Sequence, residues 1–160
     1  MPGVASLQAV EYYAHPRNAF WPIMEALFGV EHSQPYQQRL QALTEHKVAL
    51  WDVLQSCRRP GSLDSAIEAA SEKANDFAAF FASHPHLHTI FFNGRKAEQV
   101  FKSKALPDLL EQGPQLEARL QRMEFVALPS TSPAMASLRF AGKLERWQVV
   151  AKAARTPHSC

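Results

Sequence analysis

The sequence predicts a layered α/β fold built from parallel βαβ units. The chain has 160 residues, of which 46% are hydrophobic and 20% charged, and this composition is sufficient to bury one core of ordinary size. Short apolar runs typical of strands alternate with longer stretches at helical spacing, which favours parallel strands joined by helices. Because no repeat or low-complexity linker interrupts the pattern, we expect one domain over residues 1–160.

Apolar residues at helical spacing mark the helices. The first clear one covers residues 18–28, and Gly29 supplies a C-terminal stop. A second helix begins after Pro35, and an amphipathic helix covers residues 143–154 near the end of the chain. Shorter helices are expected after Ser62, after Asn75 or Asp76, and over residues 97–101.

Three short apolar runs predict strands, at residues 48–51, 88–92 and 124–128. In an open parallel sheet, functional loops gather at the carboxyl ends of the strands. These ends carry Asp52, Asn93-Gly94 and the segment 129–133. We therefore expect functional side chains at these positions.

Composition and charge exclude several classes of protein. No apolar run approaches the roughly 20 residues that a membrane span requires, and no secretory signal precedes the first helix. Two cysteines, Cys57 and Cys160, do not make a disulfide framework, so we expect a cytoplasmic protein. The net charge of +2 is below that of a protein that coats DNA, but it is compatible with an enzyme that grips a few phosphates.

Residues 12–21 concentrate aromatic rings, an imidazole, a guanidinium and a carboxamide around a helix start. Tyr13, His15, Asn18 and Phe20 belong to this block. Rings can hold the faces of a planar heterocycle while an amide reads its edge, so the block suits recognition of a nucleobase. The alternative is structural, with Phe20 in the core and Asn18 capping the helix.

A run of hydroxyl residues follows the last predicted strand. Ser130, Thr131 and Ser132 precede Pro133, which suits the first turn of a helix. Exposed hydroxyls and free backbone amides at a helix start bind anions, and phosphate is the expected anion. An ordinary Ser/Thr helix cap is the alternative.

Three further features invite a chemical interpretation. Asp52 follows an apolar run, where a carboxylate can read a ligand or simply form an ion pair. Arg58 and Arg59 lie in a loop where they can meet phosphates or only solvent. His84, His86 and His88 alternate without an acidic or cysteine partner nearby, so we expect no metal site.

Together these motifs resemble the uracil-DNA glycosylase superfamily, and within it the hypoxanthine-DNA (deoxyinosine) glycosylase branch. The most specific blocks are Tyr-Tyr-Ala-His-Pro-Arg-Asn-Ala-Phe-Trp at residues 12–21 and Leu-Pro-Ser-Thr-Ser-Pro-Ala at residues 128–134. The weaker pieces of the match are Met1-Pro2-Gly3, Ser6-Leu7, Leu50-Trp51-Asp52-Val53, Cys57-Arg58, Gly61-Ser62-Leu63-Asp64, Asn75-Asp76 and Phe91-Phe92-Asn93-Gly94.

The resemblance implies one DNA glycosylase domain, a three-layer sandwich with a short, mainly parallel central sheet flanked by helices. Members of the family have an inner strand before the segment that matches residues 1–3, and this sequence starts after it. We therefore expect the domain to be truncated at its N-terminus and to lack that strand, which would leave backbone groups of the neighbouring strands unpaired.

The resemblance also implies a reaction and the residues that perform it. A deaminated base, with hypoxanthine as the leading candidate, is rotated out of DNA. Its N-glycosidic bond is then hydrolysed, which leaves an abasic site. Asn18 matches the catalytic asparagine, and Ser130, Thr131, Ser132 and Arg58 are expected to hold phosphates. Asp52, Tyr13, His15 and Phe20 are expected to bind the base.

The expected partner is double-stranded or single-stranded DNA that contains a deaminated base. We expect a monomer at the nucleoid, with no metal, organic cofactor or membrane. Three alternatives stay open: a uracil or mismatch glycosylase of the same superfamily, a truncated relative that binds damaged DNA without cleaving it, and an α/β module for a nucleotide ligand.

Overall fold

The computed structural model of the chain describes residues 4–56 and 71–156. These residues form two compact units, each described by itself below. The sheet unit contains residues 52–56 and 71–128, and the helical unit contains residues 4–51 and 129–156.

The sheet unit contains two pairs of strands. Strands β1 (Leu54–Ser56) and β2 (Lys73–Ala74) are antiparallel. Strands β3 (Thr89–Asn93) and β4 (Glu124–Leu128) are parallel, with Thr89 opposite Glu124 and Asn93 opposite Leu128. The amide of Gly94 donates to the Leu128 carbonyl at 3.0 Å and continues the pairing one residue beyond β3.

Helix α4 (Phe77–Ser83) precedes β3, and a helical crossover connects β3 to β4. The crossover contains α5 (Arg95–Val100), a π-helical turn (Phe101–Ala105), α6 (Leu106–Leu110) and α7 (Pro114–Arg122). Such a crossover is what a parallel strand pair requires. The core of the unit is aromatic and aliphatic, and its buried members are Phe77, Phe81, Phe92, Phe101, Ala105, Leu109, Leu120 and Met123.

The helical unit contains α1 (Val4–Ala9), α2 (Phe20–Phe28), α3 (Tyr36–Glu45) and α8 (Phe140–Arg155). Helix α2 packs against α8, where Phe20 and Trp147 meet edge to face with ring centroids 5.9 Å apart. Gly29 ends α2 at a φ of 72°, a left-handed conformation that glycine adopts without a Cβ penalty. No helix in the described part of the chain is long and apolar enough to cross a membrane.

The structure confirms the predicted α/β class and most of the predicted elements. Strand β4 has the predicted bounds, β3 lies one residue later than expected, and Asp76 begins α4 by accepting the Ala79 amide at 3.0 Å. The predicted helix at residues 97–101 is part of a longer helical segment that ends at Leu110. The helix expected after Ser62 lies outside the described residues.

The predicted strand at residues 48–51 is wrong, because the segment has no regular secondary structure. A strand requires a neighbour for its backbone groups, and no described strand pairs with this segment. Trp51 is also largely exposed, which a buried strand would not allow. Asp52 therefore precedes strand β1 instead of following a strand.

Candidate functional site: the Asn18 cavity and the hydroxyl loop

Asn18 lies in a tight turn that leads into α2. Its amide donates to the His15 carbonyl at 2.8 Å, and the Arg17 amide donates to His15 Nδ1 at 3.1 Å. The Asn18 Oδ1 accepts the Phe20 amide at 3.0 Å, which fixes the plane of the carboxamide. Among the described residues Nδ2 has no protein partner, so this amide group can still donate to a ligand.

Asn18 lines an open cavity of about 350 Å³ in the helical unit. The wall is mainly apolar, and two side chains of the wall, Arg17 and Lys143, are basic. The other lining residues are Pro16, Ala19, Pro22, Pro133, Met135, Ala136, Leu138 and Phe140. A cavity that combines apolar walls, a carboxamide and basic groups suits part of a nucleotide.

The hydroxyl loop (residues 129–134) is tied to this cavity through its carbonyl groups. The Ala19 amide donates to the Thr131 carbonyl at 3.0 Å, directly after Asn18. Two side chains of α8 bind other carbonyl groups of the loop. Trp147 Nε1 donates to the Pro129 carbonyl at 2.9 Å, and Lys143 Nζ donates to the Ser132 carbonyl at 3.0 Å. The structure thus brings Asn18 and the hydroxyl loop together within the helical unit.

The hydroxyl groups of the loop organise its backbone amides. Ser130 Oγ accepts the Ser132 amide, and Ser132 Oγ accepts the Ala134 amide, each at 3.2 Å. A hydroxyl that accepts a hydrogen bond still has its own O–H to donate, and an anion is a suitable acceptor. Thr131 is only 1% exposed, so Ser130 and Ser132 fit direct phosphate contact better than Thr131 does. The phosphate role of all three stays a prediction.

Tyr13 and Phe20 stack on each other. Their ring centroids are 4.0 Å apart with an interplanar angle of 25°, and Phe20 is 2% exposed. The backbone of Tyr13 has a φ of 57°, which is unusual for a bulky residue and marks local strain. A base can therefore stack on Phe20 only if Tyr13 moves away, and the base-binding role of both rings stays a prediction.

The strained Tyr13 segment is held by its neighbours. The Tyr12 amide donates to the Tyr36 hydroxyl and the Ala14 amide to Ser6 Oγ, each at 3.0 Å. Trp21 Nε1 donates to the Tyr12 carbonyl at the same distance. The guanidinium of Arg39 lies 4.3 Å from the Trp21 ring centroid and completes this support from α3.

Asp52 belongs to the sheet unit. Its carbonyl accepts a hydrogen bond from Asn75 Nδ2 at 2.7 Å, and the Asn75 amide donates to the Val53 carbonyl at 3.0 Å. Asn75 therefore fixes the backbone that carries the carboxylate, whose base-reading role stays a prediction. Arg58 and Arg59, the other predicted phosphate ligands, lie outside the described residues.

Two of the three alternating histidines have local partners. His84 Nδ1 binds the Phe80 carbonyl at 2.8 Å, and His88 Nδ1 binds Thr89 Oγ1 at 2.8 Å. Within the described ranges no three His, Cys, Asp or Glu side chains come close enough to hold a metal ion.

Lys143 is the site residue that the sequence analysis missed. It is 5% exposed, and burial lowers the pKa of its ammonium group. One signal was present in the sequence: a lysine stands four residues before Trp147, on the helix face that otherwise carries Trp147, Val150 and Ala151. A charged side chain on the apolar face of a helix is buried, and a buried charge is rarely found without a specific partner.

Comparisons with known proteins place these features in context. No protein-family model matches the chain. A hypoxanthine DNA glycosylase from Methanosarcina barkeri is 37% identical over 98 residues, which cover 61% of this chain and 61% of that protein. One from Methanosarcina acetivorans is 33% identical over 116 residues, which cover 67% of this chain and 72% of that protein.

A solved structure is also similar. It is the solution NMR structure of a candidate uracil DNA glycosylase from Methanosarcina acetivorans, with a TM-score of 0.73 at 29% identity. The match covers 97% of this chain and 86% of the other.

Proposed function

Since the chain belongs to the hypoxanthine-DNA glycosylase branch of the uracil-DNA glycosylase superfamily, we propose that it is a DNA glycosylase that removes hypoxanthine from deoxyinosine in DNA. The observation that carries the proposal is the cavity lined by Asn18, together with the hydrogen bond from the Ala19 amide to the Thr131 carbonyl that holds the hydroxyl loop beside Asn18. On this proposal the protein acts as a monomer on single-stranded or double-stranded DNA at the nucleoid.

The hydroxyl loop holds the DNA backbone beside the extruded nucleotide. A base inside a duplex is not accessible, so its nucleotide has to rotate into a protein cavity first. Ser130 and Ser132 donate their O–H groups to phosphate oxygens, because their Oγ lone pairs already accept backbone amides. The hydrogen bond from the Ala19 amide to the Thr131 carbonyl keeps the phosphate-binding loop in a fixed position beside Asn18.

Asn18 then assists the cleavage of the glycosidic bond. A carboxamide is too weak a base to take a proton outright, but it can orient water and stabilise positive charge on the sugar. This suffices for an oxocarbenium-like transition state. Water adds its oxygen to the sugar C1′, and the base leaves with the bonding electrons and a proton. No covalent enzyme–sugar adduct forms, so the enzyme leaves an abasic site without cutting the strand.

Asp52 reads the base in this proposal. Hypoxanthine presents an N1–H donor, which a carboxylate accepts, whereas adenine presents an unprotonated N1 that repels it. An unpaired buried acceptor costs about 1–3 kcal/mol, which corresponds to about ten- to hundredfold discrimination. Uracil shares the edge of hypoxanthine, so a carboxylate alone does not reject it.

Excision of uracil is the second candidate activity. It is supported by the likeness to a structure described as a candidate uracil DNA glycosylase, and by the shared donor–acceptor edge. Release from matched duplexes that contain inosine, uracil or xanthine separates the two, and the proposal expects inosine to react fastest.

The central experiment is single-turnover base release with Asn18→Ala. We expect the rate on an inosine duplex to fall about 100- to 1,000-fold, because the carboxamide that orients the water and supports positive charge on the sugar is lost. Gln37→Ala removes an exposed carboxamide on α3 and is the matched control, which should keep the wild-type rate.

Three results would contradict the proposal or its mechanism. Full activity of Asn18→Ala removes the catalytic assignment. Retention of an inosine duplex by the wild-type chain, without any alkali-labile product, identifies a binding protein and not a glycosylase. Strand breaks that form without alkali would contradict the monofunctional mechanism.

A further inference from the structure

Lys143 is a buried cation that has no acidic partner among the described residues. It lies in the first turn of α8 and is 5% exposed. Its hydrogen bond to the Ser132 carbonyl is its sole one among the described residues, and no carboxylate of that part of the chain is within ion-pair distance. Burial lowers the pKa of the group, and no nearby negative charge opposes this effect.

An ammonium group has three donors, and the Ser132 carbonyl uses one of them. The other two have no partner among the described residues, and Lys143 lines the same cavity as Asn18. A buried charge without a counter-ion is costly, and an anion that binds beside it recovers much of that cost. The local chemistry therefore favours an anionic ligand at Lys143.

The hydroxyl loop supplies the remaining donors for such an anion. Its carbonyl groups at Pro129, Thr131 and Ser132 are all occupied by donors of the protein. The hydroxyls of Ser130 and Ser132 accept backbone amides and retain their own O–H groups. The combination of one cation and two hydroxyl donors matches a phosphate diester.

We propose that Lys143 is a DNA-binding residue, which donates a hydrogen bond to a phosphate oxygen next to the extruded nucleotide while it holds the Ser132 carbonyl in place. The inference rests on the proposed function. It adds a charged phosphate ligand to a loop that is otherwise neutral, and it assigns Lys143 to binding and not to bond cleavage.

The test measures the affinity of the full chain for a duplex that contains a tetrahydrofuran abasic analogue, which cannot be hydrolysed. Lys143→Met removes the charge but keeps the length of the side chain, and the dissociation constant should rise about tenfold or more. The slope of log Kd against log salt should fall in magnitude by about 0.9, as for one lost phosphate contact. Lys143→Arg keeps the positive charge, so its dissociation constant and its salt slope should both stay close to the wild-type values.

The matched control is Lys152→Met, which removes an exposed lysine from the same helix and changes the net charge equally. Its affinity and salt slope should stay at wild-type values. Single-turnover release from an inosine duplex should also stay at the wild-type rate in Lys152→Met, because this side chain does not line the Asn18 cavity.

The possible results separate this inference from the function on which it rests. If the wild-type chain releases hypoxanthine but Lys143→Met keeps the wild-type affinity and salt slope, the inference is overturned and the function stands. A weaker affinity with an unchanged slope also overturns it, because Lys143 would then only support the loop. If the wild-type chain neither prefers the abasic duplex nor releases hypoxanthine, both are overturned.

A second measurement covers the case in which Lys143→Met does not fold. The side-chain ¹³Cε signal of Lys143, identified by its absence in Lys143→Arg, is followed in the wild-type chain as the tetrahydrofuran duplex is added. A shift that saturates with binding supports phosphate contact. An unchanged signal at saturation contradicts it.

Discussion

At the residue scale, Asn18 has a structural role as well as its proposed chemical one. Its Oδ1 accepts the Phe20 amide and thereby orders the start of α2. The same bond fixes the carboxamide of a residue that lines the cavity, so it would also preorganise the group for its proposed role in catalysis. Our two interpretations of Asn18 from the sequence, a helix cap and a catalytic residue, are therefore compatible.

Asp52 provides a residue-scale prediction about specificity. In Asp52→Ala the acceptor for hypoxanthine N1–H is lost, so single-turnover release of hypoxanthine should fall about ten- to hundredfold. Release of adenine should not fall, because its N1 gains nothing from the carboxylate. The ratio of the two rates on matched duplexes measures the preference.

Asp108→Ala is the control for this prediction, since Asp108 is an exposed carboxylate on α6. A wild-type preference for inosine in Asp52→Ala would exclude Asp52 as the base reader.

Some site residues could be found from the sequence and others could not. Asn18 and the loop serines stand in blocks whose residue order is itself specific. Lys143 stands in a helix of ordinary composition, and its burial depends on the path of residues 129–132 beside it. The stacking of Tyr13 on Phe20 follows from a left-handed backbone at a non-glycine residue, which a sequence pattern does not reveal.

At the element scale, the start of α4 depends on a side-chain cap. Asp76 Oδ1 accepts the Ala79 amide at 3.0 Å. Asp76→Ala removes this bond, and the free energy of unfolding should decrease by about 1 kcal/mol. Asp76→Asn retains an acceptor and should lose much less. Urea unfolding measures both, and equal midpoints for the alanine variant and the wild type would show that the cap contributes nothing.

Elements with local signals were predicted well, and elements that depend on remote partners were not. Gly29 ends α2 and Asp76 begins α4. Both boundaries could be predicted because each depends on a residue within one turn of the boundary itself. Residues 48–51 have the composition of a strand but lack a described strand beside them. The short strands β1 and β2 pair with each other in an antiparallel way, whereas the sequence predicted a mainly parallel sheet and neither of these two strands.

At the scale of the whole molecule, the net charge of +2 limits non-specific attraction to DNA. Hydroxyl groups do not neutralise phosphate charge. Only the few basic side chains that contact phosphates therefore release counter-ions from the DNA on binding. We expect log Kd for an abasic duplex to rise with log salt with a slope of about +2 to +3, so that Kd increases about sixteen- to sixtyfold between about 50 and about 200 mM salt.

An undamaged duplex of the same length is the control for this salt dependence. It should bind more weakly with a similar slope, because the cations meet phosphates in both. A slope of log Kd above about +6 would show a much larger basic footprint than the described residues offer.

The family and its α/β class could be predicted from the sequence because two of its blocks are long and specific. The composition alone would have predicted only that the chain forms a globular domain. The expectation of one domain over residues 1–160 stays a prediction, as does the absence of an inner strand.

The hydrogen bond from Trp147 to Pro129 gives the protein a built-in optical reporter. The indole is 4% exposed and holds the loop that is proposed to grip DNA, so any displacement of that loop alters its surroundings. Ultraviolet emission of the unlabelled protein can therefore follow loop movement in real time. Replacing Trp21 and Trp51 with phenylalanine would isolate this signal.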